Sequence, residues 1–223
     1  MLCGVDQLFT GQLSGLRRRL RGSRLGVLTH AAAVDRRGRH LLSVLDELGA
    51  SPRLIFAPEH GLEAVAQAEE AVGSEAAEGK TPIFSLYGKT KEALTPAAEQ
   101  LAEIDLLLID LADVGSRYYT YAWTALLAAR AASAAGIHTV VLDRPNPISG
   151  DPATLEGAPQ QEASCRSLAS SRYRFGTRSA SVSCSRSSWS AMAKRSVRKA
   201  RCRSCRCSDG SGTAARKRGD ARS

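Results

Sequence analysis

"IDLLLIDLADVGSRYYTY", from Ile104 to Tyr121, changes character once, and the change decides the fold. Ile104–Asp110 is apolar almost throughout and shows no alternation, the pattern of a strand covered on both faces. At Asp110 the run stops, and polar groups follow in quick succession: Asp113, Arg117, Tyr118, Tyr119 and Tyr121, with Gly115 among them. A strand that is apolar to its end and then delivers polar side chains belongs in a parallel sheet, where ligands bind beyond the carboxyl ends.

The flanking sequence repeats the arrangement. "RLGVLTH" (Arg24–His30), "RLIFAPEHG" (Arg53–Gly61), the weaker "PIFSLYG" (Pro82–Gly88) and "HTVVLDRPNP" (His138–Pro147) read as further strands. Between them, "HLLSVLDELGA" (His40–Ala50), "PAAEQLAEI" (Pro96–Ile104) and "AWTALLAARAASAAG" (Ala122–Gly136) read as helices, with Pro at a start or Gly at a stop. Strands alternating with helices predict an α/β fold, a Rossmann-like parallel sheet with helices on both faces. No G-x-G-x-x-G follows the first strand, so a dinucleotide site is unsupported and no cofactor is expected.

Composition divides the 223 residues in two. The chain carries a net charge of +9, yet residues 164–223 hold 16 Lys and Arg against 2 Asp, while residues 1–163 hold 15 basic and 20 acidic residues. Five of the six cysteines (Cys165, Cys184, Cys202, Cys205, Cys207) lie in the second part and all four histidines in the first. Two segments are expected: a folded domain over 1–163 and a disordered Ser/Arg/Cys-rich tail over 164–223. Lone Cys3 in the first part suits a reducing compartment. No stretch approaches the roughly 20 apolar residues of a membrane span, so no membrane partner is expected. With no apolar secretion signal visible, the expected location is cytoplasmic, or periplasmic or secreted if the true start lies upstream. The sequence assigns no oligomeric state.

The strand ends gather the candidate site residues: Glu59 and His60 after the second strand, Asp110 and Asp113 after the fourth, Asp143, Arg144 and Asn146 after the last, with Arg117 and the three tyrosines beside them. Aromatic faces with carboxylates and arginine suit a sugar bearing an anionic group, because rings stack on its apolar face and arginine forks a carboxylate. Plainer readings stand beside this one. Glu59 and His60 equally suit a solvated turn, Asp113 a helix cap, Arg117 an ordinary ion pair, the tyrosines packing, and Asp143 and Asn146 the shaping of a turn around Pro145. Glu59, His60 and Asp110 match no metal spacing, and no metal is expected.

Taken in order, "GVDQLF" (Gly4–Phe9), "RLGVLTH", "FAPEHGL" (Phe56–Leu62), "AQAEEAVGSE" (Ala66–Glu75), "FSLYGKT" (Phe84–Thr90), "DLADVGSRYYTY" (Asp110–Tyr121) and "VLDRPNPISG" (Val141–Gly150) resemble the bacterial exo-β-N-acetylmuramidase family, NamZ. The resemblance covers about residues 4–157. It implies hydrolysis of N-acetylmuramic acid from the non-reducing end of peptidoglycan fragments, in a cleft between a Rossmann-like N-terminal domain and a smaller C-terminal one. By position, Glu59 of the P-E-H-G motif is the implied general acid, which would protonate the glycosidic oxygen. His60 would orient it, and Asp113 is the expected second carboxylate. Arg117, Tyr118, Tyr119, Tyr121, Asp143, Arg144 and Asn146 would line the sugar pocket. The family usually has Gln where Ala112 stands, so one polar contact is expected to be lost.

Further on, the family phrase S-F-V-G-L-x-P-x-P-x-R-H-x-L-T-x-G-E-L is replaced by Ser-Arg-Cys text. A one-base shift of frame over Arg166–Arg174, Phe175–Arg178 and Ser181–Ser185 permits Phe-Val-Gly-Leu-Phe-Pro-Val-Pro-Val, Arg-His-Ala-Leu and Gly-Glu-Leu-Leu in turn. The expectation is therefore a frame slip near Ala163–Cys165, an out-of-frame tail, and impaired activity through loss of the second domain. "CRSCRC" (Cys202–Cys207) has neither a second C-x-x-C nor a histidine in the tail to complete a zinc site. Two other functions fit less of the sequence: a non-catalytic sugar-binding module, and a basic-tail binder of nucleic acid, for which no specific partner is expected.

Overall fold

The computed structural model describes residues 2–10, 13–59, 61–62, 81–88, 92–116 and 119–148. His60, Arg117, Tyr118 and the whole of 149–223 lie outside the described residues. In chain order the elements are α1 (Gly4–Gln7), α2 (Ser14–Gly22), β1 (Leu25–Thr29), α3 (Leu41–Glu47), β2 (Leu54–Ala57), β3 (Ile83–Ser85), a 3-10 turn at Glu92–Leu94, α4 (Ala98–Ala102), β4 (Leu106–Asp110), α5 (Tyr121–Ala134) and β5 (His138–Val141).

All five strands are parallel, in the order β3-β2-β1-β4-β5. β1 and β4 lie inside the sheet and are buried along their whole length, which is why they read as unbroken apolar runs. Their pairing in register from Leu25↔Leu106 to Thr29↔Asp110 brings both carboxyl ends to one level. Alternate side chains then serve opposite layers. Leu25, Val27, Leu106 and Leu108 pack with Val5, Leu20, Leu41, Val44 and Leu45 beneath α1, α2 and α3. Leu28, Leu107 and Ile109 pack with Phe56, Leu101, Ala125, Ala128 and Ala132 beneath α4 and α5. The sheet is thus sandwiched between helices, the α/β class expected from the sequence.

Each predicted strand and helix is present but shorter than its apolar run, since flanking residues turn away to deliver polar groups. The edge strands are the least regular: β3 has three residues, and β3 and β5 are only half-buried. Gly49 and Gly136 follow α3 and α5 at φ +65° and +76°. In both places the amide beyond the glycine returns to the helix, Ala50 N to Leu45 O and Ile137 N to Ala132 O, each at 2.8 Å. This left-handed ending satisfies the orphan carbonyls and aims the chain at the next strand.

The short α1 was not anticipated. It is fixed by Gly4, whose amide donates to the Asp143 carbonyl at 2.7 Å beyond β5. A Cβ on Gly4 would lie 2.6 Å from Asp143 N and 2.7 Å from the Leu142 backbone, and backbone cannot swing aside. Gly4→Ala is expected to lower stability by about 1–3 kcal/mol, read as a shifted urea midpoint.

Candidate active site at the strand carboxyl ends

β4 ends on a carboxylate with no access to water. Asp110 is 0% exposed and is met by the Arg144 guanidinium as a fork, Nε to Oδ1 at 2.5 Å and Nη2 to Oδ2 at 2.9 Å. The third arm, Nη1, donates to the Val34 carbonyl at 3.0 Å. Burial pushes the Asp110 carboxyl up, while the hydrogen bonds and charge of Arg144 pull it back. The pair locks the ends of β4 and β5 to the loop after β1.

One residue beyond β1, His30 is buried at 3% exposure. Its Nε2 accepts from the Ala112 amide at 3.0 Å, so that nitrogen keeps its lone pair and the ring proton sits on Nδ1. The imidazole is driven down from 6.5 to about 4, first by burial, then by the Arg144 charge and the neighbouring His40. Its ring meets Tyr121 edge to face, with centroids 4.8 Å apart.

Glu59 stands after β2 and is held from the start of α5. Thr120 occupies the N-cap position of α5, but its hydroxyl does not cap the helix: it donates to Glu59 Oε2 at 2.7 Å. The neighbouring Tyr121 hydroxyl donates to the Glu59 carbonyl at 3.3 Å. Tyr119 lies against Tyr121 with ring centroids 4.5 Å apart. Burial raises the Tyr121 phenol well above its usual range, helped by Tyr119 and the nearby Glu59 charge, so the hydroxyl stays a donor.

Asp113 does not cap a helix, correcting one of its plainer readings. Its Oδ1 accepts from Gly115 N at 2.7 Å, closing a turn in which Gly115 sits at φ +76°. A Cβ there would come 2.3 Å from Asn146 Oδ1, so the glycine also makes room for Asn146. Asn146 Oδ1 in turn accepts from Ile148 N at 2.9 Å, the turn-shaping role that its place after Pro145 suggests. Burial raises the Asp113 carboxyl, with the Gly115 and Val114 amides opposing.

Asp113, Tyr121, Asp143, Arg144 and Asn146 line one cavity of about 40 Å³, walled by Ile109, Leu111 and Val141 among others. Glu59 is not part of that lining and joins it through Tyr121. His60, Arg117 and Tyr118, lying outside the described residues, are not placed. Among the described residues no three His, Cys, Asp or Glu side chains form a metal cluster, and no helix is long and apolar enough to cross a membrane. His30 and Thr120 were missed from the sequence. The strand-end rule that selected Asp110 would have selected His30, the residue just beyond β1; nothing in the sequence marks Thr120.

The family described as exo-β-N-acetylmuramidase NamZ, N-terminal, matches residues 25–174, from the first residue of β1 onward. The chain belongs to this family. It is 42% identical over 154 residues to the peptidoglycan β-N-acetylmuramidase NamZ of Bacillus subtilis (strain 168), an alignment covering 66% of this chain and 34% of that protein. The chain therefore spans about a third of the length of this curated relative. A DUF1343 family protein of Bacteroides fragilis superposes with a TM-score of 0.64 at 27% identity, over 80% of this chain and 42% of that one. A second from the same organism, at 23% identity and a TM-score of 0.55, covers 75% of this chain and 40% of its own and shares the fold. The NamZ match runs past Ala163, the expected end of the domain, to Arg174.

Two measurements probe this site as a physical object. Asp110→Ala leaves Arg144 buried without its counter-charge and is expected to cost about 3–5 kcal/mol in urea unfolding. His30 gives a pH signature. Unfolded, it takes up a proton near 6.5; folded, only near 4. Its contribution is full above pH 6.5 and is lost as pH falls through this window, on the order of 3 kcal/mol in all. His30→Gln should flatten that part of the stability–pH curve.

Proposed function

We propose that residues 1–163 form the acid-bearing domain of an exo-β-N-acetylmuramidase, which removes non-reducing-terminal N-acetylmuramic acid from cell-wall muropeptides or disaccharides. The observation that carries this reading is Glu59. It is the Glu of the family's P-E-H-G motif, and Thr120 and Tyr121 hold its carboxylate and its backbone at the rim where an α/β sheet binds ligands. Thr120 donates to Oε2, which leaves Oε1 to carry the proton. As general acid, Glu59 gives that proton to the glycosidic oxygen, the bond to the anomeric carbon breaks, and water completes the hydrolysis. Asp113 is the second carboxylate of the proposal. His60 orients Glu59, and Arg117, Tyr118, Tyr119, Tyr121, Asp143, Arg144 and Asn146 surround the sugar. The Arg144 contribution is indirect, since all three arms of its guanidinium already hold Asp110 and Val34.

The domain limit at Ala163 and an out-of-frame 164–223 belong to the same proposal, and resequencing codons 155–185 checks them. Cys3, the one cysteine of residues 1–163 and a free thiol, supports work in a reducing cytoplasm. Because the chain spans about a third of its Bacillus relative, saccharide binding is measured beside turnover. Glu59→Gln is expected to lower release of N-acetylmuramic acid from a muramic-acid-terminated disaccharide by about 10²–10⁴-fold while leaving saccharide affinity nearly unchanged. Equal release from the variant and a parent chain that is active would overturn the assignment. Binding without turnover, unaffected by Glu59→Gln, would favour a sugar-binding module instead.

A further inference from the structure

Two arms of the site come from different parts of the chain, and one side chain touches both. The first arm is the loop from Asp110 to Asp113, which carries the Arg144 fork and the Asp113 turn. The second is Glu59, held by Thr120 and Tyr121 at the start of α5. Ala112 lies in the middle of the first arm and donates its amide to His30 Nε2 at 3.0 Å. Tyr121 belongs to the second and stands edge-on to the same ring at 4.8 Å.

We propose that His30 is a positioning residue of the hydrolytic site: its neutral imidazole, accepting from Ala112 and packed on Tyr121, sets the Asp110–Asp113 loop and the Glu59 arm at a fixed relation. The inference rests on the muramidase reading of Glu59. His30 has little freedom to act otherwise. Its carbonyl accepts from His40 Nε2 at 3.0 Å, and His40 Nδ1 accepts from Leu42 N at 3.3 Å at the start of α3, so His40 carries its own ring proton on Nε2. The groups around His30 are Arg144 with its partner Asp110, His40 at the N-cap of α3, Tyr121 from α5 and, bonded to Tyr121, Glu59. A second proton on His30 would turn its acceptor into a donor aimed at the Ala112 amide, beside the Arg144 cation. Without the acceptor, the loop loses the hydrogen bond that ties Ala112 to the residue just beyond β1, and the reacting groups drift. A displacement of about 1 Å is enough to cost 10²-fold in rate.

The test compares His30→Gln, whose Oε1 can stand where Nε2 stands, with His30→Leu, which fills similar space without an acceptor, both in the 223-residue chain. His30→Leu is expected to lower kcat for disaccharide hydrolysis by about 10²-fold with KM within about threefold, and His30→Gln to restore most of kcat. Imidazole ¹⁵N spectra of the parent chain should show Nδ1 protonated and Nε2 bare near neutral pH, with the Ala112 amide moving as His30 titrates. These spectra also decide the matter should His30→Leu not fold. A proton on Nε2, or a His30→Leu kcat equal to that of an active parent, would overturn this inference alone. In a parent chain impaired by loss of the second domain, the ¹⁵N spectra carry the test. A parent chain that neither binds the disaccharide nor releases muramic acid would overturn the hydrolase reading, and this inference with it.

Discussion

The Asp110–Arg144 fork is the contact on which the site's geometry turns. A carboxylate with no exposure is tolerable only beside a permanent counter-charge with matching geometry, and guanidinium supplies two parallel bonds where an ammonium would supply a point charge. Its third arm reaches Val34, so the charge pair also fixes the loop between β1 and α3. Three separate strand connections are thereby held at one height. The register of β1 on β4, ending Thr29↔Asp110, sets that height. The fork is not a large net source of stability, because desolvation takes back much of the Coulomb gain. Its effect is on shape: the fork holds the ends of β4 and β5 and the Val34 carbonyl in one arrangement.

Legibility followed burial. Leu106–Asp110 and Leu25–Thr29 could be read directly because strands buried on both faces are apolar along their length, with polar groups only at their carboxyl ends, Thr29 and Asp110. α2 could not, because "SGLRRRLRG" buries only Leu20, so its periodicity rests on a single apolar stripe. α1 has four residues and no periodicity to detect; a backbone contact at Gly4 holds it. The gathering of Asp113, Asp143, Arg144 and Asn146 was legible from the rule that parallel strands deliver ligands at one edge. His30 was hidden by its neighbours: in "RLGVLTH" it reads as the polar end of an apolar run, and nothing local shows that its partner is an amide 82 residues away. The clearance of Asn146 by Gly115 was hidden for the same reason, since a glycine in a loop does not say which side chain takes its space.

The loop after β1 also shows how a Rossmann-like sheet can serve a ligand other than a dinucleotide. In dinucleotide folds, free amides at this position face phosphate. Here carboxylates of the same chain take that place: Asp35 Oδ1 accepts from the Arg37 and Arg39 amides at 2.8 and 2.9 Å, and Asp6 Oδ1 accepts from the Arg36 amide at 3.0 Å. Arg39 closes the loop from outside by pairing with Asp35 and Glu47 and lying over the Phe9 ring at 5.0 Å. The first crossover is thus filled from within, and the open polar rim is shifted toward β4, β5 and α5.

The hydrogen bond from Gly4 to the Asp143 carbonyl brings the first helix against the last strand. Positions far apart in the chain therefore abut in space, and the connectivity of the described domain comes close to a closed ring. A covalent bridge between these neighbours, with new ends opened at the exposed turn around Gly38, is expected to leave the strand order β3-β2-β1-β4-β5 in place. The order in which the strands are synthesised is thus separable from the order in which they pack.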